Sequence, residues 1–151
     1  MKNLALVAGV LSALAIPSLA SAMTDTECAA TWTKADANGD GALSAAEGAR
    51  YLASLRIAAQ PAVVDGKLTQ AAFLEYCKAG HFNAVKLDAG APLAGSNSFT
   101  ESQATDRAVA SGLTSVSALK KDDKGVWRGT ASDGSKNVSV AIDFKGNVVS
   151  N

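Results

Sequence analysis

The chain has 151 residues, 48% of them hydrophobic, with 14 basic and 14 acidic side chains and one histidine. That balance offers no basic field to hold nucleic acid or an anionic membrane, and the length allows one ordinary domain or two small ones. With one histidine and two cysteines, a zinc site lacks ligands.

The N-terminus begins with Lys2, an apolar run from Leu4 to Ile16, Pro17, and then "LASA", with Ala20 and Ala22 at the small-residue places of a cleavage site. Residues 1–22 therefore read as a secretory signal peptide cleaved after Ala22, a retained amphipathic anchor being the alternative. The run is too short to span a bilayer comfortably, and no later segment is long and apolar enough, so no stable membrane insertion is expected. Removing 22 of 151 residues leaves 129 and takes away Lys2, so 13 basic residues face 14 acidic ones. The expected location is periplasmic or secreted. Cys28 and Cys77 then belong to a chain bound for an oxidising compartment, where a disulfide is expected and two free buried thiols are the alternative.

From Thr24 to about Gly80 the apolar residues keep helical spacing. Thr24 and Glu27 form a capping box for a first helix with Cys28, Trp32 and Ala35 on one face. "DANGDGALSAAE", Asp36 to Glu47, follows, and Tyr51, Leu52 and Leu55 resume the spacing on an outgoing helix. A hard cation takes six to eight oxygen ligands, which a short loop supplies by curling around it. Asp36, Asn38 and Asp40 offer side-chain oxygens at the first, third and fifth places, and Gly41 permits the sharp turn. Ala42 offers its backbone carbonyl, Ser44 acts through a water, and Glu47 closes the shell with both carboxylate oxygens. Leu43 is expected to point inward. Calcium suits this set better than magnesium, which prefers a tight octahedron and keeps its waters. A turn-rich surface loop that binds nothing is the alternative reading.

This helix, loop and helix, about Glu27 to Leu55, resembles the EF-hand family, and the resemblance implies calcium ligation by Asp36, Asn38, Asp40, Ala42, Ser44 and Glu47. Three carboxylates imply an affinity of roughly 10⁻⁵ to 10⁻³ M. Gly48 departs from the pattern, since the family usually has a bulky apolar residue there, and is expected to weaken the start of the outgoing helix. A second copy appears when "DGALSAAEGARYL" is laid over "DGKLTQAAFLEYC" with a shift of 25 residues, Asp40 onto Asp65. Its first, third and twelfth places, within 61–72, fall on Pro61, Val63 and Ala72, none with a side-chain oxygen, so it resembles a degenerate hand with a shortened incoming helix. Pairing of the two hands places Leu43 beside Leu68. A Cys28 to Cys77 bridge ties the first helix to the last, worth roughly 2 to 4 kcal/mol. Residues 23–83 are thus expected to be an EF-hand pair. His81, at the end of the last helix, reads as a cap or surface residue.

Residues 84–97, with "LDAGAPLAGSNS", read as a linker. "SFTESQATDRAVASGL" reads as a helix with Thr100 as N-cap, Gln103 completing a capping box, Phe99 as a staple on Ala104 and Gly112 at the stop. Three or four strands follow. Val138, Val140, Ile142 and Phe144 alternate with Asn137, Ser139, Ala141 and Asp143, and Trp127, Gly129 and Ala131 share the buried face of the preceding strand. Trp127 is expected in the core, and Lys120, Lys121 and Lys124, with Asp122 and Asp123 among them, in a solvated turn. The triplet Asn137, Val138, Ser139 fits a glycosylation pattern but lies inside a strand. Residues 98–151 resemble PepSY-type domains of bacterial envelope and secreted proteins, which implies a binding or inhibitory module.

The expected fold class is α+β: an all-α EF-hand pair followed by one helix on a three- or four-stranded antiparallel sheet. The expected function is calcium binding in the loop 36–47, with the back module contacting an envelope or secreted protein. The alternative makes that module a protease inhibitor or chaperone-like binder and the front mainly structural. No catalytic constellation accompanies His81, so no enzyme is expected.

Overall fold

Thr24 accepts the Glu27 N–H while the Glu27 carboxylate accepts the Thr24 N–H at 2.8 Å, and this reciprocal cap starts α1, Asp25–Ala35. A computed structural model describes residues 22–61, 65–83 and 85–151. The expected leader up to Ser21 and the expected third place of the second loop, Val63, lie outside the described residues. After α1 come β1, Ala42–Leu43, and α2, Ala45–Ile57; then β2, Leu68–Thr69, α3, Gln70–Lys78, and a 3-10 turn, His81–Asn83. β1 and β2 pair antiparallel with Leu43 opposite Leu68, and both leucines are fully buried.

These elements close over an aromatic core. Phe73 meets Trp32 edge-on at 5.3 Å and Tyr51 at 4.9 Å, and Tyr51 meets Phe82 at 5.0 Å, separations at which edge-to-face rings attract. The Cys28–Cys77 disulfide joins α1 to α3 with its Cα atoms 5.9 Å apart. Among the described residues no helix is long and apolar enough to cross a membrane.

The back half contains β3, Leu87–Asp88; α4, Glu101–Ala110; β4, Lys120–Lys121; β5, Trp127–Ser132; β6, Asn137–Ile142; and β7, Val148–Ser150. Thr100 and Gln103 cap α4 reciprocally, and Gly112, at φ +103°, takes the left-handed conformation just past its end. Phe99 holds the Arg107 guanidinium 4.3 Å over its ring. The chain is α+β, with helices and a five-stranded sheet in the order β3-β7-β6-β5-β4.

The expected three- or four-stranded antiparallel sheet is corrected by β3, which adds a fifth strand parallel to β7, Leu87 opposite Val148. The same pairing makes a strand of Leu87–Asp88 within 84–97, the segment expected as a linker. Beyond β3, Leu93 donates its N–H to Asp143, Gly95 donates to the Lys124 carbonyl at 2.9 Å, and Asn97 is buried. Directly after the two-residue edge strand, Asp88 Oδ1 accepts the Gly90 N–H at 2.8 Å. The strand expected to run through Phe144 stops at Ile142. Asp143, expected on the solvent face, is fully buried: it accepts N–H groups from Leu93, Lys145 and Asn147 and the Asn147 side-chain amide, so its carboxylate shapes the β6–β7 turn.

Trp127 is half-buried on the back core and donates its indole N–H to the Phe99 carbonyl at 3.1 Å. Lys121 lies 5.2 Å over its ring and donates to the Asn97 carbonyl. It is therefore anchored, whereas the turn beside it is held by Asp122, which accepts the N–H groups of Lys124 and Val126.

Candidate metal centre

The loop from Asp36 to Glu47 hangs between two helix ends. Asp36 caps α1, giving its N–H to the Trp32 carbonyl at 2.9 Å, and Ser44 is the N-cap of α2. Gly39 and Gly41, at φ +70° and +80°, make the reversals that bring these ends together. Asp36 Oδ2 accepts the Gly41 N–H at 3.1 Å, Asn38 Oδ1 accepts the Asp40 N–H at 2.8 Å, and Asp40 Oδ1 accepts the Ala42 N–H at 2.9 Å. From the far end, Glu47 Oε1 accepts the Asn38 N–H across the loop at 3.4 Å, while Oε2 accepts the Ser44 hydroxyl at 3.0 Å. All six sequence-expected residues, Asp36, Asn38, Asp40, Ala42, Ser44 and Glu47, thus sit on one curled segment. All six are tied to it by side-chain or N–H hydrogen bonds, and Ala42 is held as well by its pairing with Thr69.

One oxygen breaks the pattern of satisfied groups: Asp36 Oδ1 is buried and has no hydrogen-bond partner among the described residues. A buried carboxylate oxygen left so is unfavourable unless positive charge or a donor meets it. Among the described residues no three His, Cys, Asp or Glu side chains converge as a metal group. The loop carboxylates face its own amides, and the donor set mixes them with amide, hydroxyl and backbone oxygens. Such an all-oxygen set is of the kind that could hold a hard cation.

Gly48, expected to weaken the start of α2, also has a packing role. A Cβ on it would lie 2.8 Å from the Leu43 Cβ, so glycine lets β1 sit against the first turn of α2. Lys67, outside the six expected residues, brings its Nζ to 3.9 Å from Asp40 Oδ2. The sequence signal was present: pairing Leu43 with Leu68 puts the residue before Leu68 beside the first loop. In the second loop Asp65 and Gly66 keep the left-handed turn at φ +53° and +76°, but Pro61 and Ala72 supply no side-chain oxygen. His81 stacks edge-on against Tyr76 in the 3-10 turn rather than ending a helix.

No protein-family model matches the chain, and comparison with curated proteins and with solved structures gives no match.

Proposed function

We propose that this is an exported calcium-binding protein of EF-hand type, with one ion in the loop 36–47, a degenerate second hand over 61–72, and a PepSY-like back module that contacts an envelope or secreted protein. The observation that carries the reading is the buried, unpartnered Asp36 Oδ1, set in a loop whose remaining oxygens belong to Asn38, Asp40, Ala42, Ser44 and Glu47. Calcium supplies only concentrated positive charge. The residues do the rest: Asp36, Asn38 and Asp40 bring side-chain oxygens, Ala42 its carbonyl, Ser44 a hydroxyl that orients a water, and Glu47 the last carboxylate from the first turn of α2. Export is supported by the Cys28–Cys77 disulfide, since such bonds persist in oxidising compartments.

The disulfide and the Leu43–Leu68 pairing brace the loop without metal, so calcium tunes a standing fold more than it creates one. The chemistry is binding, not catalysis. Calorimetric titration of the mature chain with calcium is expected to give saturable one-site binding, with a Kd of about 10⁻⁵ to 10⁻³ M and a parallel change in Trp32 fluorescence. Glu47→Gln keeps a capping residue for α2 and is expected to abolish the heat. No binding at millimolar calcium overturns the proposal.

A further inference from the structure

α2 is buried on two sides, and the two sides belong to different cores. Tyr51, Leu52 and Leu55 face the aromatic cluster of the front. Ala53, with no exposed surface, joins Ala104 and Ala108 of α4 and Val138, Val140 and Ile142 of β6 in the core of the sheet, and Ile57 packs on the same cluster. Alanines on both helices let α2 and α4 run close together. At the end of α2, the Arg56 Nε spans both oxygens of Asp106 on α4, at 3.0 and 3.1 Å. α4 in turn packs on β6. The opposite end of α2 carries Glu47, so one rigid helix runs from the metal loop into the back core, about 9 Å from Glu47 to Ala53.

We infer that the metal loop and the five-stranded sheet form one cooperative unit with α2 as the shared part, so that a cation bound in the loop stabilises strands it never touches. This rests on the calcium reading above. To unfold either core, α2 must give up a face: losing it from the sheet uncovers Ala53 and Ile57, and losing it from the front dismantles the Glu47 end of the loop. A ligand that binds only the folded loop lowers the population of every opening that destroys the loop, by a factor of 1 + [L]/Kd. Openings confined to the sheet would feel nothing. The back module, which carries no ligand residue, is thereby placed under the control of external calcium.

The test is native-state hydrogen exchange on the full mature chain, with calcium absent and at 100 times the Kd measured by calorimetry. The slowest backbone amides of β6 are expected to exchange about 100-fold more slowly with calcium, in step with those of α1 and α2. Glu47→Gln is expected to remove the effect in both places. If calorimetry shows binding and the α1 and α2 amides slow while those of β6 do not, the shared unit is overturned and the calcium reading stands. If calorimetry shows no binding, both fall.

Discussion

Replacing Gly48 with alanine sets two effects of opposite sign against each other. Gly48 lies in the first turns of α2, with no left-handed backbone to protect, so helix propensity alone favours alanine by about 1 kcal/mol. The new Cβ, however, falls 2.8 Å from the Leu43 Cβ, where carbons rest at about 3.5 to 4.0 Å. A rotamer change cannot relieve this contact, because Cβ moves only with the backbone of β1. That backbone is pinned by the pairing of Leu43 with Leu68 and by full burial of both side chains. Overpacking of this kind costs about 1 to 3 kcal/mol, and the immobile neighbour argues for the upper half, leaving a net loss of about 1 to 2 kcal/mol. Urea unfolding in chelator should show the midpoint of Gly48→Ala below that of the parent. Under the calcium binding proposed above, affinity should fall with it, since moving β1 moves Ala42 and Ser44. A variant more stable than the parent by about 1 kcal/mol would mean that propensity decides here and that the Leu43 contact is soft.

Two further perturbations address the scaffold. Cys28 and Cys77 are 49 residues apart, so loop-closure entropy gives their bridge about 4 kcal/mol. The double variant Cys28→Ala, Cys77→Ala should lose about that much in urea unfolding, and a loss under about 1 kcal/mol would refute the entropic account. Burial raises the Asp143 pKa, but hydrogen bonds from Asn147, Leu93 and Lys145 outweigh it and hold the carboxyl below the ordinary value. Its contribution is therefore present above the unfolded-state pKa and lost as pH falls through the lowered one. Asp143→Asn, which turns an amide toward amide donors, should cost about 1 to 3 kcal/mol at neutral pH and flatten the acid limb of the stability curve. Asp122, held low by Arg128, and Asp133, held low by the Lys136 and Ser135 N–H groups, leave a residual slope. An unchanged acid limb would remove Asp143 from that account.

What was legible in the sequence was local. The caps at Thr24 and Thr100 depend on residues three places apart, and both form as their spacing implies. The loop from Asp36 to Glu47 is likewise a matter of twelve consecutive residues, so its curl and its left-handed glycines follow from order alone. The Leu43–Leu68 pairing reaches further but is encoded twice, once in each "DG" copy. The alternation of Val138, Val140 and Ile142 similarly marks a buried face of β6.

The remainder was not legible because it depends on contacts that no period announces, some with partners about 50 or more residues away and some nearer, as Gly48 with Leu43 and Lys67 with Asp40. Leu87 and Asp88 sit in a stretch of turn-forming composition, and only the β7 edge, about 60 residues later, makes a strand of them. Asp143 looks like the polar half of an alternating pair until Leu93 arrives to donate to it. α2 carries the largest consequence. Its sequence offers Tyr51, Leu52 and Leu55 as an ordinary amphipathic stripe, and Ala53 as filler. Alanine is too small to mark a face by hydrophobicity, yet its smallness is what admits α4, and Arg56 finds Asp106 exactly 50 positions on only because that approach has been made. α2 thus joins the two cores by one strong stripe and one small side, since Ala53 admits α4 while Tyr51, Leu52 and Leu55 hold the front cluster.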